Sequence, residues 1–82
     1  MFSKELFGTR VLERLREKGM MQKHLSDMLH CDHSTVTKLI TGSRGASAEM
    51  LFAMAEILEI SVDYLMGRTD IPEVNHSRQQ DN

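Results

Sequence analysis

The stretch QKHLSDMLHCDHSTVTKLITG, residues 22–42, decides how this chain is read. Leu25, Met28 and Leu29 stand at i, i+3, i+4, and Val36, Leu39 and Ile40 repeat that spacing. The pattern predicts two short helices, about Gln22–Leu29 and about His33–Thr41. Asp32 is expected to cap the second helix by accepting the backbone N–H of Ser34 or Thr35, and Gly42 to close it. Leu29-His30-Cys31-Asp32 is too short a connection for an antiparallel hairpin, so the helices must cross steeply. Leu25, Leu29, Val36 and Leu39 then pack inward. The outer face of the second helix is left polar: His33, Ser34, Thr37, Lys38 and Thr41.

Working outward, a first helix is predicted from about Lys4 to Lys18, with Phe7, Val11, Leu12 and Leu15 as its apolar stripe and Gly19 as its stop. Ser47 opens a fourth helix with Glu49 near its positive end and Leu51, Met54, Ala55 and Leu58 as its stripe. Ser61 caps a short fifth helix with Val62, Leu65 and Met66 inward, ended by Gly67. No alternating β-branched run and no Asn-Gly or Asp-Gly turn appears, so the expected class is all-α, with five helices in one compact domain over residues 1–68. Residues 69–82 are nearly all polar and are expected to form a mobile tail.

Two short helices about a tight turn, the second with a polar outer face, are the layout of a helix-turn-helix, whose second helix enters the DNA major groove. Charge distribution agrees with a polyanion partner on that side. The 82 residues carry a net charge of −2, but residues 1–47 hold eight Lys/Arg against five Asp/Glu, and residues 48–82 hold two against seven. One Cys excludes an intrachain disulfide and a four-thiolate zinc site. No apolar run is long enough to span a bilayer and no signal peptide is read, so a cytoplasmic protein is expected. There is no nucleophile–base–acid set and no Gly-rich phosphate loop. The chain is not expected to be an enzyme or to carry a cofactor.

Residues 11–67 resemble the lambda-repressor-like, Cro/C1-type (XRE) family of helix-turn-helix DNA-binding proteins. The residues carrying the resemblance are Gly19, Gln22, Leu25-Ser26, Cys31, Ser34-Thr35-Val36, Gly42, Leu51, Ala55 and the run Leu58-Glu59-Ile60-Ser61-Val62-Asp63-Tyr64-Leu65. The resemblance implies a prokaryotic or phage-type transcriptional repressor. His33, Ser34, Thr37 and Lys38 fall on base-reading positions. Gln22, Thr41, Ser43 and Arg44 fall on backbone-contact positions, and Lys23 is grouped with them. Chemistry supports the assignment: Lys38 can donate to guanine O6 and N7, Ser34 to several base edges, and a Thr methyl can meet that of thymine. The implied ligand is a pseudo-palindromic operator in double-stranded DNA, bound by a homodimer with its reading helices about 34 Å apart. Ile60, Val62, Tyr64 and Leu65 are the expected dimer surface, with the Tyr64 hydroxyl at its rim. A chain this short has no room for an effector domain, and no small-molecule ligand is implied.

The sequence departs from the family pattern at three places. Leu15 and Ile40 stand where the family often has a buried Arg–Glu pair, an exchange for packing that is often neutral or stabilising. Met21 precedes Gln22 where a capping Ser, Thr or Asn is common. His30 stands where a left-handed Gly is common.

Other readings compete with this one. His24, His30, Cys31 and His33 lie close together, but their spacing is not that of a zinc site; Cys31 reads as a small buried hydrophobe, His24 and His30 as surface residues. Met28, Met54 and Met66 fit helical stripes and read as core rather than as a peptide groove. Glu13, Arg14, Arg16 and Glu17 read as a solvated face. The alternative function is a protein-binding module on the same fold, an antitoxin or an adaptor. An apolar patch on helices four and five would favour it.

Overall fold

A computed structural model describes residues 4–73. It contains α1 (Lys4–Glu17), α2 (Gln22–Leu29), α3 (His33–Thr41), α4 (Ala48–Leu58) and α5 (Val62–Leu65), with no strand among the described residues. The class is all-α, as expected. The helices meet around one core. Phe7, Val11 and Leu15 come from α1, Leu25 from α2, and Val36 and Leu39 from α3. Met54, Ala55 and Leu58 from α4 join them, with Ile60 and Leu65. Leu29, Cys31 and Ile40 pack against its edge. Two stripe residues do not join it: Leu12 and Met28 are exposed, Met28 at 54%. Of the three methionines read as core, only Met54 is fully buried. The eight residues of α2 make about two turns and pack mainly on α3 and α4, and Met28 on its apolar stripe stays open to solvent.

Three helix ends close in the same way. Gly19 donates its N–H to Arg16 O and Met20 donates to Leu15 O. His30 and Cys31 repeat this onto Asp27 O and Ser26 O, and Glu59 and Ile60 onto Glu56 O and Ala55 O. Each closure needs a left-handed residue, with φ of 66° at Gly19, 58° at His30 and 59° at Glu59. His30 therefore holds the glycine-like conformation expected of it, at a cost of about 1 kcal/mol.

Helix starts differ more from expectation. Ser47 and Ser61 cap α4 and α5, accepting from Met50 N and Tyr64 N at 3.1 and 3.0 Å. The Asp32 carboxylate makes no capping bond; its backbone carbonyl accepts Thr35 N–H instead. Met21 supplies no side-chain cap to α2 either. Its own N–H donates to His24 Nδ1 at 3.1 Å, so His24, exposed as expected, also anchors the first turn.

At Gly8 the backbone of α1 comes close to that of α3. A Cβ on Gly8 would stand 2.1 Å from the Ile40 carbonyl oxygen, so only a bare Cα lets the two backbones meet there. Leu15 is buried and Ile40 half-buried, so both apolar replacements of the family's charged pair are packed.

Past α5 the chain returns to the body. Arg10, only 8% exposed, donates Nη1 to the carbonyls of Tyr64 and Thr69 and Nη2 to the Asp70 carboxylate, and its guanidinium lies 3.9 Å over the Tyr64 ring. Ser61 N–H donates to Pro72 O at 2.9 Å. The segment expected to be a tail from residue 69 thus begins with residues held against α1 and α5; its remainder, from 74, lies outside the described residues.

Candidate nucleic-acid interface

The α3 helix presents two unlike sides because its apolar residues recur at helical spacing. Val36 and Leu39 are 0% and 2% exposed, whereas His33, Ser34, Thr37, Lys38 and Thr41 are all exposed. The polar residues named from sequence therefore share one solvent-facing side.

Their hydrogen bonds set what each can offer. Thr37 Oγ1 donates to His33 O at 3.2 Å and Thr41 Oγ1 to Lys38 O at 3.3 Å. A hydroxyl that donates to its own helix keeps lone pairs and, for Thr37, a methyl to present outward. Ser34 and Lys38 make no side-chain hydrogen bond to the described residues and remain free donors. At the C-terminal end, Gly42 takes φ 86° and turns the chain into the α3–α4 loop. Thr41 and Ser43 share a hydroxyl hydrogen bond of 3.1 Å there, and Arg44 N–H donates to Lys38 O. Arg44 and Ser43 side chains are exposed beside the end of α3. On the neighbouring helix, Gln22 is half-buried at the first position of α2, where its carbonyl accepts Ser26 Oγ at 3.0 Å, and Lys23 is exposed.

The cations divide into two sets. Arg10, Arg14 and Lys18, all on α1 or just past it, pair with Asp70, Glu17 and Glu59 at 2.9, 3.0 and 2.7 Å. Arg14 also donates Nε to Leu58 O at 2.7 Å, so it ties α1 to the end of α4 and is not merely a solvated charge. The Lys18 ammonium, through its hydrogen bond and its charge, holds the Glu59 carboxyl below its ordinary value. Lys4, Arg16, Lys23, Lys38, Arg44 and Arg68 have no carboxylate partner among the described residues. Lys23, Lys38 and Arg44 of this set lie on α2, on α3 and in the loop after it.

The expected dimer residues scatter in environment. Ile60 and Leu65 are 2% and 0% exposed and belong to the core, so they offer no surface to a partner. The short α5 lies over the core, and Ile60 and Leu65 are spent in joining it there. Val62 and Tyr64 are half-buried, and one face of the Tyr64 ring is already covered by Arg10. Arg10 was not singled out from sequence; a lone Arg between apolar stripe residues gives no local sign that carbonyls from residues 64 and 69 will reach it. No group of three His, Cys, Asp or Glu side chains stands together among the described residues, and Cys31 is half-buried against the core. No helix among them is long and apolar enough to cross a membrane.

A family model described as Helix-turn-helix matches residues 12–65, from the third turn of α1 to the end of α5. Neither a curated protein nor a solved structure matches the chain. Covering well over half of the 82 residues and all of α2 and α3, the match makes this chain a member of the Cro/C1-type helix-turn-helix family of DNA-binding regulators.

Proposed function

We propose that the protein is a sequence-specific transcriptional repressor that binds a pseudo-palindromic DNA operator as a homodimer. His33, Ser34, Thr37 and Lys38 read base edges in the major groove, and Gln22, Lys23, Thr41, Ser43 and Arg44 hold the backbone. The observation that carries this reading is the solvent-facing side of α3. It combines free donors at Ser34 and Lys38 with a methyl at Thr37, and its cations have no carboxylate partner among the described residues. Two copies would meet through the accessible edges of Val62 and Tyr64, with Ile60 and Leu65 supporting that corner from inside.

Lys38→Ala and Arg44→Ala separate the two kinds of contact. Lys38→Ala should cost about 1–3 kcal/mol on the preferred duplex and relax preference at one base pair per half-site. Arg44→Ala should weaken all duplexes alike and lower the salt slope by about one. Equal losses on preferred and random duplexes for Lys38→Ala would remove it as a base reader.

A second reading, a protein-binding module, draws on Phe52, which is 62% exposed on α4. Its neighbours one turn away on that helix are Glu49 and Glu56. One ring with carboxylates a turn away on either side is less than the continuous apolar patch an adaptor surface needs. Phe52→Ser leaving DNA binding intact while abolishing capture of a protein partner would favour this second reading.

A further inference from the structure

From the packing of α1 against the end of α3, we infer that Lys4 is an additional clamp on the DNA backbone, acting with Arg44 on phosphates beside the α3–α4 loop. This assignment rests on the DNA-binding reading above and extends it to a helix outside the helix-turn-helix. The family match begins at residue 12, so Lys4 lies beyond the segment it covers.

Three observations converge on Lys4. Its stem lies across Gly42: a Cβ on Gly42 would stand 3.2, 3.5 and 3.9 Å from Lys4 Cβ, Cδ and Cγ. The bare Cα of Gly42, needed for the turn at φ 86°, also gives the lysine stem room to lie flat. Lys4 and Arg44 then line one small cleft with Phe7, Leu39, Gly45 and Ala46. The ammonium lies two bonds beyond Cδ, within reach of the loop that carries Ser43 and Arg44. Lys4 also has no carboxylate partner among the described residues, a property it shares on α1 with Arg16 but not with Arg10 or Arg14; of the two, only Lys4 lies against the α3–α4 loop. Two unpaired cations flank one loop with two hydroxyls, Thr41 and Ser43, beside it. The two cations match a phosphate, which takes point charges and needs no base-specific geometry, whereas the Thr41 and Ser43 hydroxyl protons are used within the loop, on Lys38 O and Thr41 Oγ1.

The fold supplies the anchoring. Gly8, one turn further along α1, locks that helix onto the Ile40 carbonyl. A rigid α1–α3 contact holds Lys4 at a fixed distance from the reading face, so the clamp and the reading helix move as one body.

The test measures duplex affinity against salt for the full chain, on a duplex selected by the wild type and on a random-sequence duplex. Lys4→Met keeps the stem on Gly42 and removes only the charge. It should melt like the wild type and lower the slope of log K against log salt by about 0.9 on both duplexes. Between 50 and 200 mM salt the wild-type advantage should therefore shrink about threefold. Lys4→Arg should retain the wild-type slope. Arg16→Met, about 18 Å further along α1, should not change it. A wild-type slope in Lys4→Met while Arg44→Ala lowers it overturns the clamp and leaves the DNA reading standing. A loss confined to the selected duplex also overturns it, because it marks a base contact. Failure of the wild type to bind either duplex overturns both.

Discussion

Gly8 and Thr37 show how single atoms set this molecule's behaviour. Gly8 has no local sequence signature, being one small residue inside a good helix. Its role exists only because α3 ends against it, with the Ile40 carbonyl oxygen 2.1 Å from where a Cβ would stand. Backbone cannot yield as a flexible side chain can, so Gly8→Ala should destabilise the fold by about 3 kcal/mol, although Ala is the better helix former. Denaturant melts of the two proteins check this; an unchanged or raised midpoint would mean that the α1–α3 approach is looser than described. Thr37 yields a functional prediction. Its hydroxyl donates to His33 O, which leaves the methyl as its distinctive outward group. Thr37→Val should keep base preference in duplex selection, and Thr37→Ser should lose preference for thymine at one position per half-site. The opposite ranking would assign the reading to the hydroxyl.

Legibility from sequence was best for α2 and α3. Leu25/Met28/Leu29 and Val36/Leu39/Ile40 gave both spans correctly, because left-handed His30 and Gly42 stop each helix where the apolar spacing ends. The polar side of α3 followed from the same spacing. Periodicity carries no information about depth, so it places Leu12 and Met28 on core stripes although both are exposed. It also could not show which chain segment returns to cover a residue. Arg10 is the clearest case: it joins α1 to Tyr64, Thr69 and Asp70 across more than fifty positions, and nothing near it in sequence signals those partners. Arg10→Met should cost about 2–3 kcal/mol, because the Tyr64 and Thr69 carbonyls lose their donor. Asp70→Asn should cost at most about 1 kcal/mol, since the Asp70 side chain is 99% exposed and its ion pair is solvent-screened. Equal losses would shift the weight from the carbonyls to the ion pair. A second tie joins the C-terminal ends of α1 and α4 through Lys18 and Glu59. Glu59 is held below its ordinary value by Lys18, so the folded state binds that proton less readily than the unfolded chain. The stabilisation is present above the unfolded carboxylate value and is lost as pH falls through the lowered folded one. Lys18→Met should flatten the acid side of the stability–pH curve; a curve parallel to the wild type would deny the coupling.

At the scale of the whole molecule, carboxylates meet Arg10, Arg14 and Lys18 where α1 meets α4, α5 and the segment beyond them, whereas Lys23, Lys38 and Arg44 have no carboxylate partner among the described residues. A dimer holding two copies of α3 toward one duplex needs its contact elsewhere, and Val62 and Tyr64 on α5 are available for it. Val62→Glu should therefore leave the monomer folded and lower affinity for a two-half-site duplex far more than for a single half-site; equal losses would place the contact elsewhere. The central claim is that α3 reads DNA sequence. Its most direct test is selection of bound duplexes from a random pool, run in parallel on the wild type and on the triple variant Ser34→Ala, Thr37→Ala, Lys38→Ala. The wild type should enrich a pseudo-palindrome with half-site centres about 10 base pairs apart, or a multiple of that, while the variant retains salt-dependent binding and enriches nothing. Enrichment of the same sequence by both proteins, or of none by the wild type, would contradict the account.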